Sequence, residues 1–354
     1  MKLHLIILFV LIRKAEQQGD LVCNFRAQAA AAAAASPTDW GILYKKPSSV
    51  EAYLHDSRSA SAAWEDDPVD LSKSDISVGE MIESVRANMA DHNIIAYSNF
   101  PPHARETIQC ASDTKGALVY KDGNGWLLTH TVNKWPDFYS SKYEPPSSDM
   151  AALLVCITIP KKELSSWGEL MDYQDPFIYQ VSKAPDDKSL DKIDSLKKLT
   201  EPSTPKFTPY VKNREFESAD SMKVLKFRII SKLNVARQDV YSTYLAPVLK
   251  RNLLVWSEQR SAKLLPSSCT SKYKVENVNP KEIVLKSSKE TTIKREWDTS
   301  SWAISKSSDL FCISNADRTE PSKNVGAGVL CFQNQNVHDI FKEMANKAKL
   351  QSCK

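Results

Sequence analysis

Apolar and polar positions alternate first at Trp40, Ile42 and Tyr44, which predicts a strand in the segment DWGILYKKP. Ser77-Val78-Gly79-Glu80 has the spacing of a capping box. Met81, Ile82, Val85 and Met89 then recur at helical spacing, and core packing is sufficient to explain all four. Ile94–Tyr97 reads as the next strand. In residues 116–130, two apolar runs flank Asp122-Gly123-Asn124-Gly125, a hairpin pattern. A turn centred between Gly123 and Asn124 makes Ala117 face His130 and brings Asp113 and Lys115 to the same open end. Leu153–Ile159 reads as a strand ending at Pro160, and 184–208, rich in Lys, Asp, Ser and Pro, as a loop or linker. Leu225, Phe227 and Ile229 alternate with Lys226 and Arg228, giving a strand with a basic face. Gln238–Lys250 reads as a helix bent or shortened by Pro247. A strand at Leu253–Trp256 and an amphipathic helix carrying Val337, Ile340, Phe341 and Met344 follow. This alternation of strands and helices predicts α/β layering.

The N-terminus breaks the pattern. Lys2 precedes an apolar run, Leu3 to Ile12, interrupted only by His4. The run is too short to span a bilayer and suits a signal-peptide core over residues 1–19, with cleavage placed at Gly19–Asp20. A buried N-terminal strand is the plainer alternative. Residues 20–38 then form an arm whose alanine tract, before Ser36-Pro37, reads as a linker. The seven cysteines fit an exported chain. They form no C-x-x-C pattern, so a disulfide framework is favoured over metal, with one cysteine left unpaired. No N-x-S/T sequon occurs. The 354 residues, 42% hydrophobic and 25% charged, are those of an ordinary globular chain with one large domain or two smaller ones. The net charge of +4 conceals an asymmetry: residues 201–354 hold 26 Lys and Arg against 16 Asp and Glu. A basic half suits a polyanion such as DNA, and a solvated lysine-rich surface is the bland reading.

Taken in order, DWGILYKKP from Asp39, DTKG from Asp113, GWLLTHTVNKWP from Gly125, LLVCITIP from Leu153 and DPFIYQ from Asp175 resemble the deoxyribonuclease II family. So do LLPSSC to Cys269, VENVN from Val275, DTSSWAIS from Asp298, CISNADR from Cys312 and GAGVLC to Cys331. The resemblance runs from about residue 39 to 345. It implies two pseudo-symmetric α/β halves of the phospholipase D kind, each a mixed sheet flanked by helices, here 39–200 and 201–354. It also implies a shared site built from one H-x-K motif per half. In such a site one histidine attacks phosphorus, the other protonates the leaving oxygen, and lysines hold the phosphate. The activity implied is an acid endonuclease on DNA, without metal or cofactor, secreted or lysosomal. The disulfides implied are Cys23–Cys156, Cys269–Cys353 and Cys312–Cys331, with Cys110 free.

At the motif positions the reacting groups are mostly replaced. H-T-K-G becomes Asp113-Thr114-Lys115-Gly116, keeping the lysine; D-H-S-K-W becomes Asp298-Thr299-Ser300-Ser301-Trp302, losing histidine and lysine. The further family histidine survives as His130, and Arg318 survives in Asn315-Ala316-Asp317-Arg318. A carboxylate can attack phosphorus, but Asp113 also repels a DNA phosphate, and Thr299 and Ser301 cannot shuttle protons near pH 5. His130 can donate a proton, or can be a strand-end histidine satisfied by hydrogen bonds. The expected DNA contacts are Lys226, Arg228, Lys232 and Arg318, beside Lys115. No G-x-x-x-x-G-K, G-x-S-x-G or H-E-x-x-H occurs, and the six histidines lack metal-ligand spacing. Three functions compete: a slow acid endonuclease; a secreted pseudoenzyme that retains the DNA groove or uses the scaffold for another partner; and a structural or host-facing surface protein with no role in DNA. The missing motif residues favour the second over the first, and the basic half favours it over the third. No membrane span is expected, and the oligomeric state is open.

Overall fold

The computed structural model describes residues 21–25, 38–75, 77–108, 112–220, 222–257, 263–278, 281–287, 290–347 and 350–353. The signal-peptide segment, the alanine tract and Cys110 lie outside the described residues.

The first eight strands are β1 (Trp40–Lys45), β2 (Glu51–Asp56), β3 (Val69–Asp70), β4 (Asn93–Tyr97), β5 (Gly116–Lys121), β6 (Asn124–His130), β7 (Ala152–Pro160) and β8 (Ile178–Ser182). They form one sheet in the order β3-β2-β1-β7-β6-β5-β4-β8. The later strands are β9 (Val211–Glu217), β10 (Lys226–Lys232), β11 (Leu253–Trp256), β12 (Val275–Val278), β13 (Glu282–Lys286), β14 (Glu290–Lys294), β15 (Ser301–Ser305), β16 (Leu310–Ser314), β17 (Ala327–Gln333) and β18 (Leu350–Gln351). A second sheet runs β18-β12-β11-β15-β16-β17-β10-β9, and β13-β14 is a separate hairpin.

The two sheets share a topology. In each, the first strand of a five-strand unit lies beside the last, as β1-β7-β6-β5-β4 and as β10-β17-β16-β15-β11, with every neighbour antiparallel. The α/β halves expected of the family are therefore present as two like sheets, although the first is antiparallel throughout and only the second is mixed, through the parallel β11-β12 pair. Their outer strands differ: β8 runs antiparallel to β4, whereas β12 runs parallel to β11.

A continuous apolar layer lies between the sheets. Trp40, Ile42 and Tyr44 of β1 meet Phe227, Trp302 and Phe311 there, with Trp40 5.6 Å from Phe332 between ring centroids. Helices α1 (Ser77–Ala87), α2 (Leu164–Gln174) and α3 (Gln335–Lys347) complete the layers. α2 and α3 contribute Trp167, Met171, Phe341 and Met344 to the central layer, and α1 covers the outer face of the first sheet with Val78, Ile82 and Val85. The second sheet's outer face is covered by Val240, Tyr241, Leu245 and Ala246. This double cover explains β1: its six residues are all buried, because Leu43 packs outward while Ile42 and Tyr44 pack inward.

Several local expectations change. Asp122-Gly123 alone forms the hairpin turn, with Asp122 at φ 55°, so Ala117 pairs with Leu128 rather than His130. Asp-Gly outcompetes the following Asn-Gly for the two central positions. Ser77 opens α1, but its hydroxyl is unpartnered, and Glu80 accepts from Asn24 Nδ2 at 3.0 Å. The 184–208 stretch contains short helices at Ser189–Lys192 and Asp194–Leu199, which bury Leu190, Leu196 and Leu199. Pro247 lies at the start of a helical turn, Ala246–Leu249, that follows a π-helical turn, Val240–Leu245, so it ends one segment and opens the next.

Candidate functional site

Two parallel bridges stitch the halves together where the motifs lie: Ala151 with Asp298, and Ser112 with Gly326. Ala151 immediately precedes β7 and Gly326 immediately precedes β17. The backbone N–H of Thr299 donates to Ala151 O at 2.9 Å, and that of Asp113 to Gly326 O at 3.4 Å. The like sheets thus make Asp113 the counterpart of Thr299, and Lys115 the counterpart of Ser301. Asp113-Thr114-Lys115 and Thr299-Ser300-Ser301 thus occupy corresponding places in the two halves.

The first half holds its members through β4, β5 and β6. Asn99, just beyond β4, donates through Nδ2 to Asp113 Oδ1 at 2.8 Å. Thr114 is fixed by the Ser112 hydroxyl at 2.8 Å. Gly116 is required next: a Cβ there would lie 2.4 Å from both Leu128 O and the Tyr97 hydroxyl. Lys115 is nearly buried, and its carbonyl accepts from the His130 N–H at 3.3 Å. The His130 ring is fully buried, 5.3 Å from Trp135 in an edge contact. Burial, then the Lys115 charge, push its pKa down to about 3. Neither ring nitrogen meets a partner at hydrogen-bonding geometry, although the Val132 backbone lies close enough to offset a small part of that shift.

The second half supplies a hydroxyl-lined counterpart. Thr299 Oγ1 donates to Ala151 O at 3.0 Å and lies 3.3 Å from Thr131 Oγ1. Ser301 Oγ donates to Asp317 Oδ1 at 3.4 Å. Asp298 is fully buried, and its Oδ2 accepts from the Tyr44 hydroxyl at 2.7 Å, Trp256 Nε1 at 2.9 Å and Ser300 Oγ at 2.8 Å. Burial raises its pKa to about 6 despite these donors. Arg295 lies 3.8 Å from the Trp256 ring and donates to Ser257 O at 2.6 Å. Tyr44, Trp256 and Arg295 were not singled out from the sequence. Tyr44 carried a signal, its place in the DWGILYKKP segment, but alternation alone assigns it to the core.

The four cations expected to contact DNA do not line one groove. Lys232 is fully buried at the end of β10, where Nζ donates to Lys323 O at 2.9 Å. Arg318 is 2% exposed, paired with Asp239 at 3.1 Å and donating to Asn277 Oδ1 and Pro266 O. Its fork is consumed inside the fold, which corrects the expectation of a surface contact there. Lys226 and Arg228 occupy the opposite end of β10 from Lys232, and Arg228 pairs with Glu215 at 3.0 Å. All three expected disulfides are present: Cys23–Cys156, Cys269–Cys353 and Cys312–Cys331. Among the described residues, no cluster of three or more His, Cys, Asp or Glu side chains is placed to hold a metal ion, and no helix is long and apolar enough to cross a membrane.

Comparison with known proteins gives one consistent result. A family model described as deoxyribonuclease II matches residues 32–353. The chain is 27% identical to plancitoxin-1 of Acanthaster planci over 322 residues, covering 86% of this chain and 87% of that protein. It is 23% identical to deoxyribonuclease-2-alpha of Mus musculus over 330 residues, covering 88% and 90%.

Proposed function

Because the chain belongs to the deoxyribonuclease II family, we propose that it is a DNA-directed protein on the phosphodiesterase scaffold of that family, with catalysis weak or lost. The observation that carries this reading is the placement of Asp113 and Thr299 as counterparts across the junction of the halves. These are the positions where the family resemblance puts its two reacting histidines. A carboxylate and a hydroxyl there cannot act as a nucleophile and proton donor pair at acid pH. His130 does not replace them. With a pKa near 3 it stays neutral at pH 5, and its ring is closed off from solvent. Of the two motif lysines, the one at Lys115 is retained.

A second reading is a DNA-binding pseudoenzyme delivered by export. Three disulfides support passage through an oxidising compartment, and the basic C-terminal half supports a polyanionic partner. Secretion or delivery to an acidic organelle fits both readings.

The test is plasmid nicking at pH 5 in EDTA, run beside DNA binding at two salt concentrations. The proposal expects binding that weakens steeply with salt and nicking at least ~10³-fold below an intact relative. Absence of DNA binding at low salt removes both readings and leaves a protein with no role in DNA.

A further inference from the structure

The relation that pairs Asp113 with Thr299 also pairs two buried lysines. Lys45 ends β1 opposite Ala152, and Lys232 ends β10 opposite Ala327. Both are essentially inaccessible. Their hydrogen bonding differs. Lys45 Nζ donates to three carbonyls, Lys46 O at 3.0 Å, Ser49 O at 2.7 Å and Ser148 O at 3.2 Å, which satisfies the ammonium. Lys232 Nζ donates to one, Lys323 O. An ammonium buried with two N–H groups unspent needs a counter-charge.

Lys232 faces Ala327, and the neighbouring Gly326 carbonyl accepts from the Asp113 N–H at 3.4 Å, so Asp113 and Asp239 are the carboxylates that favour the charged form of Lys232. Asp239 is committed elsewhere: it accepts from Arg318 Nε at 3.1 Å, from the Tyr241 and Ser242 backbone at 3.2 and 3.3 Å, and from Ser242 Oγ at 2.7 Å. Asp113 is half-buried, held by Asn99 Nδ2, and two residues from Lys115. The Asn99 amide and the Gly326 carbonyl thus fix Asp113 at the junction of the halves.

We propose that the Asp113 carboxylate is an internal anion for the buried cations of the junction, and that its charge makes the site refuse phosphate. The proposal rests on the reading of the junction as a phosphodiester-directed site. Neutralising Asp113 then leaves the Lys115 and Lys232 charges to recognise a phosphate oxyanion at the junction. The chemistry recognised is a phosphate mono- or dianion, whether free or within a DNA strand.

The test is titration calorimetry of inorganic phosphate, and separately of a short single-stranded oligodeoxynucleotide, against wild type, Asp113→Asn and Asp113→Asn with Lys232→Met. Asparagine keeps the oxygen that accepts from Asn99. The expected result is phosphate binding by Asp113→Asn at least ~10-fold tighter than wild type, with the gain lost in the double variant. Equal affinity in wild type and a folded Asp113→Asn overturns the proposal, as does a gain that survives Lys232→Met. If Asp113→Asn does not fold, Asp113→Ser is read by the same criteria. Gain of phosphate binding without oligonucleotide binding by any form upholds the internal anion and removes the DNA-directed function; oligonucleotide binding unchanged by Asp113→Asn does the reverse.

Discussion

The Tyr44 hydroxyl, on the first strand of one sheet, donates to Asp298 Oδ2 at 2.7 Å in the motif of the other. The bond is fully buried and shares its acceptor with Trp256 and Ser300. A charged acceptor that loses a donor inside the fold is costly. Tyr44→Phe is therefore expected to lower stability by about 1.5–3 kcal/mol in chemical denaturation. Adding Asp298→Asn should cost less than the sum of the two single changes, because the residues share one interaction.

Asp298 makes stability depend on pH in a defined direction. Its folded pKa, about 6, lies above the unfolded value. The native state binds the proton more tightly, so this contribution is full below about pH 4 and is lost as pH rises through 6. The loss is on the order of 3 kcal/mol. Wild type compared with Asp298→Asn should gain stability from pH 7 to pH 4. A stability difference that does not change with pH would remove the assignment.

His130 acts in the opposite sense. Its folded pKa, about 3, lies below the unfolded value. Its contribution is present above about pH 6.5 and falls away on acidification, by roughly 2 kcal/mol between pH 6.5 and 5. His130→Phe should therefore narrow the gap to wild type as the solution is acidified, whatever its cost at neutral pH. Melting temperatures of both proteins from pH 7.5 to 5 measure this, and parallel curves would contradict a buried neutral imidazole.

Cys23–Cys156 ties the N-terminal arm to β7 across 133 residues of sequence. Phe25 of the same arm lies over Gly41, where a Cβ would come within 2.4 Å of its ring. Replacing both cysteines by serine should cost about 2–5 kcal/mol. Gly41→Ala should destabilise as well, by pushing Phe25 off the strand. Denaturant midpoints under non-reducing conditions report both effects, and an unchanged midpoint for the double serine variant would show that the arm is not fixed by this bridge.

Much of this architecture was legible in the residues. Alternation located β1 and β10, and helical spacing located α1 and α3, because burying one face or stripe imposes a period that survives in a single sequence; β11 showed only as a short apolar run. Choosing Asp122-Gly123 over Asn124-Gly125 was not legible, since both dipeptides suit the turn and only the pairing of the whole sheet decides. The motif positions could be read through the family resemblance, and the disulfides with them. The fate of the basic residues could not. Arg318 and Lys232 look like DNA contacts by charge, and only the fold shows that Asp239 and Asn277 absorb Arg318 and that Lys232 is buried against the Lys323 carbonyl. Nor does periodicity separate Tyr44 and Trp256, which hold Asp298, from their core neighbours.

We propose an intact scaffold in which Asp113 and Thr299 stand where the family resemblance puts its reacting histidines. Thr114, Gly116, Asp298 and Trp302 keep the motif flanks, and the two backbone bridges at Ala151 and Gly326 are formed. Asp317 accepts from the Ser301 hydroxyl at 3.4 Å. The decisive measurement is plasmid nicking at pH 5 in EDTA by wild type and by the combined variant Asp113→His, Thr299→His, Ser301→Lys. The account predicts that wild type nicks at least ~10³-fold more slowly than an intact relative, that the combined variant recovers measurable nicking, and that each single change recovers little, because the groups act as a unit. Robust nicking by wild type that is abolished by His130→Ala would contradict it, and would make Asp113, Lys115 and His130 a working catalytic site.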